Sequence, residues 1–476
     1  MSFLYSRLFL KQNFTMVMKI PENLIEKYNV PVPRYTSYPP ANFFTEDFNA
    51  VNYEEAIHVS NSESPQNISV YFHIPFCSKM CHFCGCNTRY TKDKNVMRIY
   101  VEAVKKEILM VKKLLDPKRK VSQVHWGGGT PNSLPIEMVR EIMDLIHENF
   151  QFIEKAEIAI ECHPALLDEQ LVEQLVQCGF NRFSLGIQDF KQEVLDNVNR
   201  DAPLVPVKEI VRWIRSFDNT GVNLDFIYGL PYQSEKTFAE TIEKAVEVSP
   251  DRLVTFSYAH VPWLKKAQKI LEIKGLPAAE EKLLMFETGY KILTENGYTP
   301  IGLDHFAKAG DELSMALKNR TLHRNFQGYC TRETTGQVYA FGATGISQLE
   351  SVYAQNEKNS NAYVEIINSG KFTTEKGYKL NITEKVVRHA ITEIMCNQYF
   401  SFNETAQLFR LSEDEIKNAI HYSDEMLEEF VADGLLTLNP GKSLQINDHG
   451  RFFIRNIAAR FDPNLRKSSK KFSKAL

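Results

Sequence analysis

Four of the eight cysteines in this 476-residue chain lie within a span of ten residues, and their spacing indicates a metal cluster. Cys77, Cys81 and Cys84 form a C-x3-C-x2-C pattern, and Cys86 follows two residues later. Soft thiolates favour iron–sulfur clusters. Three of them on one short loop can bind three irons of a 4Fe–4S cube and leave the fourth iron open for chemistry.

Other uses of the cysteines fit this pattern less well. A disulfide framework would spread its cysteines through a small secreted domain. A zinc site would need a second ligand pair from a distant segment, and no such pair is present. A further thiolate on the cluster would close the open iron. We therefore predict a 4Fe–4S cluster on Cys77, Cys81 and Cys84, with Cys86 as a non-ligand.

The cysteine loop follows the first of six apolar runs that have the composition of β-strands. Segments with helical periodicity separate these runs, and strands alternating with helices imply a parallel sheet with right-handed crossovers. Six units are too few for a closed eight-stranded barrel, so we predict an open, partial (β/α)6 barrel. The predicted strands are Ser69–His73, Ser122–Trp126, Ala156–Cys162, Arg182–Gln188, Val222–Tyr228 and Leu253–Tyr258.

Each of the later predicted strands ends near a group that can bind a ligand. The second precedes Gly127–Pro131, a glycine-rich turn that lets the backbone approach a ligand closely. The others end at Glu161, Gln188, Asp225 and Ala259, with Arg200 just beyond the fourth. Ligands of parallel α/β proteins bind at the carboxyl ends of strands. We expect these groups to share one site, where carboxylates suit ribose hydroxyls and Arg200 suits a carboxylate.

The cysteine spacing after a first βα strand resembles the signature of the radical S-adenosylmethionine (SAM) superfamily. The glycine turn is similar to the superfamily motif that receives the SAM amino group. More specific motifs resemble the oxygen-independent coproporphyrinogen III oxidase family over about residues 20–465. They are Pro33–Pro39, Tyr71–Cys86, Gly127–Pro131, Gly186–Phe190, Val198–Arg200, Asp225–Pro231, Asp304–Ala307, His323–Tyr329 and Ile454–Ala458.

The resemblance implies a partial barrel with a mainly helical C-terminal domain, one 4Fe–4S cluster and two SAM molecules. Tyr71, Glu161 and Arg200 are the implied catalytic residues. The first SAM is expected to contact Tyr71, Gly128, Glu161 and Ile346. The second is expected to contact Phe83, Gly129, Thr130, Gln188, Arg200, Asp225 and Ala259. Two departures from the family concern this pocket: Cys162-His163 precedes Pro164, and Cys330 replaces a usual threonine.

The implied reaction cleaves SAM to a 5′-deoxyadenosyl radical, which starts the oxidative decarboxylation of two propionates of coproporphyrinogen III. The product is protoporphyrinogen IX, and a one-electron donor such as a flavodoxin is the implied partner. Because the substrate carries four carboxylates and the chain has a net charge of only −3, local cations must meet it. The candidates are Arg34, Arg320, His323, Arg324 and Arg332.

The sequence divides into an N-terminal extension and extended arm (residues 1–66), a catalytic domain (67–375) and a helical C-terminal domain (376–476). Capping boxes are expected at Asn381 and Ser412, and extra strands at Pro300–Phe306 and Gln337–Phe341. The hairpin Leu435–Leu438 with Ser443–Ile446 resembles a winged helix, but the helices before it are acidic, which argues against nucleic-acid binding.

We expect a cytoplasmic monomer with no membrane span. The start codon (Met1, Met16 or Met18) stays open, and the basic tail Arg466–Lys474 is expected to be solvated. A haem chaperone and an anaerobic haem-opening methyltransferase of the same superfamily remain alternatives, as does an iron–sulfur nucleic-acid regulator. The chaperone pattern lacks the fourth cysteine, the arm motif and His323–Tyr329, all of which are present here.

Overall fold

The computed structural model describes residues 20–465 and residue 472, so the candidate start sites and most of the basic tail lie outside the described residues. The strands, numbered along the chain, are β1 (Ile68–Ile74), β2 (Phe76–Cys77), β3 (Arg89–Tyr90), β4 (Lys120–Gly128), β5 (Gln151–Cys162), β6 (Arg182–Gln188), β7 (Gly221–Tyr228), β8 (Arg252–Ser257), β9 (Tyr298–Ile301), β10 (His305–Lys308), β11 (Leu322–Arg324), β12 (Tyr329–Thr331), β13 (Gln337–Phe341), β14 (Ile346–Gln348), β15 (Val352–Asn356), β16 (Thr374–Lys379), β17 (Tyr399–Ser401), β18 (Leu436–Asn439) and β19 (Ser443–Ile446).

The α-helices are α1 (Glu22–Tyr28), α2 (Ala50–Ser60), α3 (Lys94–Leu114), α4 (Ile136–Asn149), α5 (Glu169–Gln177), α6 (Gln192–Asn197), α7 (Val207–Arg215), α8 (Glu235–Val248), α9 (Lys269–Lys274), α10 (Ala279–Glu295), α11 (Glu312–Lys318), α12 (Ser360–Asn368), α13 (Ile382–Asn397), α14 (Phe402–Phe409), α15 (Glu413–Ala419), α16 (Glu425–Ala432) and α17 (Ile454–Arg460). Among the residues that the structure describes, no helix is both long and apolar enough to cross a membrane.

The six predicted parallel strands are confirmed and lie side by side in chain order, as β1, β4, β5, β6, β7 and β8. Their apolar runs are almost fully buried because helices cover the outer face of the sheet. Val70 of β1 and Val254 of β8 line the same cavity, so the sheet curves until its first and sixth strands face each other. Strand β13 adds a further parallel neighbour beside β1.

The prediction of one strand over Pro300–Phe306 is wrong. The chain reverses at Gly302, whose φ of +60° favours glycine, and it forms the antiparallel pair of β9 and β10 instead. Strand β10 also pairs antiparallel with β8, which extends the sheet beyond its six parallel strands. The turn places His305 in the cavity wall, with Asp304 hydrogen-bonded to it, rather than both within one continuous strand.

The arm is less extended than its prolines predict, because it contains helices α1 and α2. Asn49 caps α2 through a reciprocal capping box. The first part of the arm packs with the C-terminal region through Leu24 and Tyr28, whereas Tyr53 and Ile57 of α2 join the core of the large sheet. The arm therefore connects the two cores and has no separate core of its own.

The C-terminal region contains helices α13 to α17 and a three-stranded sheet in the order β17–β19–β18. Both predicted capping boxes are present, Asn381 with Glu384 and Ser412 with Glu415. The predicted hairpin corresponds to β18 and β19. A helical C-terminal region is thus confirmed, and the more specific likeness to a winged helix stays a prediction.

Candidate active site

The cysteine loop begins directly after β1 and is closed at its base by backbone pairing. The short parallel pair of β2 and β3 places Cys77 opposite Tyr90. The backbone N–H of Thr91 donates to the carbonyl of Cys77 at 3.1 Å, and the N–H of His82 donates to the carbonyl of Val198, just after α6, at 3.0 Å. The loop is therefore fixed at its first cysteine and again between Cys81 and Cys84, at the carboxyl edge of the sheet.

Each of the three predicted ligand sulfurs accepts one hydrogen bond. The pairs are Thr130 Oγ1 to Cys77 Sγ at 3.4 Å, an Arg200 guanidinium nitrogen to Cys81 Sγ at 3.6 Å, and the Cys86 N–H to Cys84 Sγ at 3.4 Å. Donors of this kind stabilise thiolates. The Cys86 side chain, and to a lesser degree its backbone N–H, lowers the pKa of Cys84 to about 6, whereas burial raises the pKa of Cys77 to about 11.

The donor set suits an iron–sulfur cube better than a single ion. Across residues 20–465, no three His, Cys, Asp or Glu side chains converge as they would around one bound metal ion. In a cube each thiolate binds a different iron, so such convergence is not required. The loop thus offers three sulfurs that are already hydrogen-bonded and a neighbouring Cys86 that supplies a backbone donor.

The glycine turn after β4 lies directly against the cysteine loop. The N–H of Gly129 donates to the carbonyl of Ile74 at 2.7 Å, and the N–H of Thr130 donates to Phe76 at 2.8 Å. A Cβ at Gly129 would lie 2.7 Å from the carbonyl oxygen of Phe76. Glycine is needed here because two backbone segments touch, which brings the turn up to the cluster site.

We expect Gly129→Ala to weaken SAM binding by about 5- to 100-fold, since overpacking against rigid backbone costs roughly 1–3 kcal/mol. Gly85→Ala, in the cysteine loop, is the matched control because no atom lies within 4 Å of its added Cβ. Equilibrium binding of SAM to the anaerobically reconstituted protein measures both. Equal affinities for the two variants would show that contact between the turn and the loop is not needed.

Polar side chains of adjacent strands meet at the carboxyl edge of the sheet. The Nε2 atom of His125 lies 3.0 Å from Oε1 of Glu161, and the ring of Tyr71 stacks on His125 with 6.0 Å between centroids. The hydroxyl of Ser184 donates to Asp225 at 2.8 Å. Burial raises the pKa of Asp225 to about 7. The structure thus brings Tyr71, Glu161 and Asp225 to one edge of the sheet, as the strand ends predict.

The other predicted SAM contacts border this edge. Arg200 donates to the carbonyl of Gly186, and Gln188 has a φ of +68° at an irregularity between β6 and β7. The amide of Gln268 donates to the carbonyls of Phe83 at 2.9 Å and Ala259 at 3.3 Å, so these two residues lie together. Ile346 begins β14, just after a turn that contacts His73.

One cavity joins the strand ends to the later motifs. Its volume is about 130 Å³, and its lining contains both Glu161 and Asp225 and the residues Asn325 and Gln327–Cys330. Its far wall holds Arg252, which is already paired with Asp311 at 2.9 Å and with Glu312 at 2.7 Å. These two carboxylates therefore balance the positive charge of Arg252, and the far wall offers little free positive charge to a ligand.

Two of the predicted substrate cations lie beside this cavity. Arg34 pairs with Asp304 at 2.7 Å, and the guanidinium of Arg324 lies 4.8 Å from the ring centroid of Tyr329. The buried Nε of Arg324 has no hydrogen-bond partner among the described residues. Burial favours the protonated form of Asp304, but its hydrogen bond to His305 and the nearby guanidinium groups outweigh burial and lower its pKa.

None of the five candidates is in the cavity lining itself, and the other three contact the C-terminal region instead of residues of that lining. Arg320 lies 3.8 Å from the ring centroid of Tyr399, and Arg332 pairs with Glu393 of α13. Burial lowers the pKa of His323 to about 4, assisted by nearby Arg388 and Arg332. This segment thus serves two surfaces: Asn325 and Gln327–Cys330 line the cavity, and Arg324 packs behind that lining against Tyr329.

The two departures from the family pattern have defined places. Cys162 is buried, and His163 accepts the N–H of Ala165 at 3.2 Å while its backbone bonds to Asn132. Burial lowers the pKa of His163 to about 3. Cys330 is a buried thiol in the cavity wall, and burial raises its pKa to about 12. Both cysteines therefore present neutral thiols.

Several residues at the site are not identified by sequence analysis. His73 and His125 lie inside predicted strands. The Nδ1 atom of His73 lies 3.1 Å from the hydroxyl of Tyr71, and His125 is hydrogen-bonded to Glu161. Alternation along β1 puts His73 on the face of Tyr71, a signal that could have identified it. Asp304 and His305 were noted as a motif, but only the β9–β10 turn shows their position beside the cavity.

A buried carboxyl supports this edge of the site. Glu107 of α3 accepts hydrogen bonds from the N–H of Gly342 at 2.9 Å, from Asn356 at 2.7 Å and from the hydroxyl of Tyr363 at 2.6 Å. Burial nevertheless raises its pKa to about 7. Glu107 thus holds the turn that leads to Ile346 while it remains easily protonated.

A raised folded-state pKa means that stability from Glu107 is fully present below pH 4.5 and is lost as pH rises to about 7. The shift corresponds to roughly 3 kcal/mol. We expect Glu107→Gln to flatten the dependence of unfolding free energy on pH between 4.5 and 7.5 by up to this amount. Urea unfolding of both proteins at several pH values measures it, and parallel curves would contradict the assignment.

The curved parallel sheet, the three-cysteine loop and the adjoining strand-end cavity define the class: a radical SAM enzyme. Residues 71–245 match the Radical SAM superfamily model. The chain is 43% identical over 457 residues to the oxygen-independent coproporphyrinogen III oxidase of Synechocystis sp., covering 95% of this chain and 97% of the relative. It is 37% identical to the Escherichia coli enzyme of that name, covering 94% and 96%.

A solved structure of coproporphyrinogen III oxidase from Escherichia coli, described as a radical SAM enzyme, superposes with a TM-score of 0.87 at 35% identity. It covers 94% of this chain and 100% of its own. The chain belongs to the oxygen-independent coproporphyrinogen III oxidase family. The predicted fold class, the enzyme class, and the 4Fe–4S cluster and SAM as cofactors are thereby confirmed.

Proposed function

We propose that this chain converts coproporphyrinogen III to protoporphyrinogen IX without oxygen, by oxidative decarboxylation of two propionates to vinyl groups in haem and porphyrin biosynthesis. One observation carries the proposal. A single cavity runs from the SAM-site carboxylates Glu161 and Asp225 to the segment after Arg324, so cofactor groups and substrate carboxylates have access to one space. Homologues with this activity in their names cover nearly the whole chain.

When bound, the cluster and SAM supply a 5′-deoxyadenosyl radical. Cys77, Cys81 and Cys84 are the cluster ligands in this proposal, and the Thr130 and Arg200 donors stabilise two of their thiolates. Glu161, held by His125, and Asp225, held by Ser184, are oriented to accept ribose hydroxyls of two SAM molecules. Tyr71 covers His125 and limits water beside Glu161.

At the other end of the cavity, Arg324 and Arg34 are oriented to receive propionate carboxylates. Asp304, which is itself bonded to His305, keeps Arg34 in place, and Tyr329 keeps Arg324 in place. We further propose a one-electron donor such as a flavodoxin, a monomer in the cytoplasm, and division into an arm (1–66), a catalytic domain (67–375) and a C-terminal domain (376–476).

The test is anaerobic reconstitution with iron and sulfide, followed by incubation with dithionite, SAM and coproporphyrinogen III. We expect 5′-deoxyadenosine together with a tetrapyrrole that has lost the mass of two decarboxylations. Absence of both products would overturn the proposal. A tetrapyrrole that gains a methyl group would instead identify a methyltransferase, and haem binding without turnover would identify a haem chaperone.

A further inference from the structure

An exposed apolar surface rimmed by lysines lies beside the cysteine loop. Trp263, Leu264 and Ile273 expose 69%, 71% and 88% of their surface. Lys266 and Lys269 are exposed between them. We call these five residues, with Ile270, the basic–apolar surface. Monomeric proteins seldom expose large apolar side chains in groups, and such patches mark sites where a partner binds.

This surface is attached directly to the loop that carries the ligand cysteines. The ammonium group of Lys265 donates to the carbonyl of Cys86 at 2.6 Å. Gln268 donates to the carbonyl of Phe83, which lies between Cys81 and Cys84, at 2.9 Å. A partner seated on the surface would therefore sit against the outer side of the cysteine loop. Proximity matters because electron transfer slows steeply with distance.

The charge of the basic–apolar surface indicates the kind of partner that would bind there. Residues 263–274 contain four lysines and one glutamate, although the whole chain has a net charge of −3. The glutamate, Glu272, is hydrogen-bonded to His260 at 2.7 Å, and the four lysines outnumber it. A positive rim around an apolar centre is complementary to an acidic protein, and such charges chiefly accelerate its association. Brief redox encounters need only a small interface of this type.

We propose that the basic–apolar surface is the docking site of an acidic one-electron carrier protein that reduces the cluster. The carrier loses one electron and the cluster gains it, with no atom transferred. This inference rests on the proposed function, because it assumes a cluster on Cys77, Cys81 and Cys84. Trp263 supplies the apolar contact, and Lys266 and Lys269 steer the carrier.

The test compares reduced flavodoxin with dithionite as electron source. The docking variant is Lys266→Glu with Lys269→Glu. Its control is Lys118→Glu with Lys120→Glu, which makes the same charge change at exposed positions near the amino end of β4, away from the cysteine loop. We expect the docking variant to slow cluster bleaching by flavodoxin about tenfold or more at low salt. With dithionite all three proteins should react alike.

Binding of oxidised flavodoxin, followed by biolayer interferometry, gives a second readout that needs no turnover. We expect weaker binding for the docking variant and for Trp263→Ala, and a loss of the difference at high salt. Equal bleaching and equal binding in the docking variant and its control would overturn the proposal. Failure of the wild-type protein to form products with dithionite would instead overturn the proposed function, while the binding measurement still tests the surface.

Discussion

Replacing Cys77, Cys81 or Cys84 with alanine is expected to abolish cluster assembly and with it all turnover. Each replacement removes one of the three thiolates that are each expected to bind a different iron. Cys86→Ser is expected to keep the cluster, since Cys86 contributes a backbone N–H to Cys84 and serine retains that group. Iron and sulfide content, visible absorbance and 5′-deoxyadenosine formation measure the outcome.

The buried cysteine Cys178 provides a matched control for thiol loss. It lies at the end of α5, within the core of the large sheet, and Cys178→Ser should retain full iron content. Iron retained by any of the three alanine variants would remove that cysteine from the ligand set. Loss of absorbance in Cys86→Ser, with Cys178→Ser intact, would show that four cysteines hold the cluster.

Arg324→Ala is expected to raise the KM for coproporphyrinogen III by roughly 10- to 100-fold. The guanidinium lies over Tyr329, which lines the cavity, and its Nε has no partner within residues 20–465, so it retains a donor for a substrate carboxylate. A hydrogen bond to a charged group contributes about 1.5–3 kcal/mol, which matches that range. Arg324→Lys should recover only part of the affinity, because lysine lacks the two-pronged donor geometry.

Arg320→Asn is the contrasting variant, because Arg320 is exposed and stacks on Tyr399 rather than bordering the cavity. Asparagine tolerates its left-handed backbone, which has a φ of +56°. We expect its KM for coproporphyrinogen III to stay within about twofold of the wild-type value, because substitutions of exposed residues usually have small effects. An unchanged KM in Arg324→Ala, or a large rise in Arg320→Asn, would contradict the placement of the substrate carboxylates.

Local chemistry explains why much of the fold and site could be predicted. The apolar residues of the runs that became β1 and β4 to β8 are almost all buried, and such runs can be recognised from the sequence alone. The cysteine spacing needs only one loop, and its position after β1 follows from the strand pattern. The capping boxes at Asn381 and Ser412 are equally local, because each connects residues only three positions apart.

Features that depend on packing between distant segments were predicted less well. Proline density suggested an extended arm, but helix α2 forms because Tyr53 and Ile57 bury against the large sheet. The reversal at Gly302 splits a predicted strand, since its outcome depends on pairing with β8. The contact of His125 with Glu161 requires knowing which strands are neighbours.

By itself the sequence determined the parallel strands and the groups at their carboxyl ends, and it predicts the cluster ligands. Only the tertiary structure decided which cations pack against residues of the cavity lining. Arg320, His323, Arg324 and Arg332 lie in one short segment with similar charge and spacing. The β11–β12 hairpin directs Arg324 toward Tyr329, while packing against α13 and β17 engages the others. These different positions result from contacts with distant segments of the chain. The residue types within one segment do not determine those contacts.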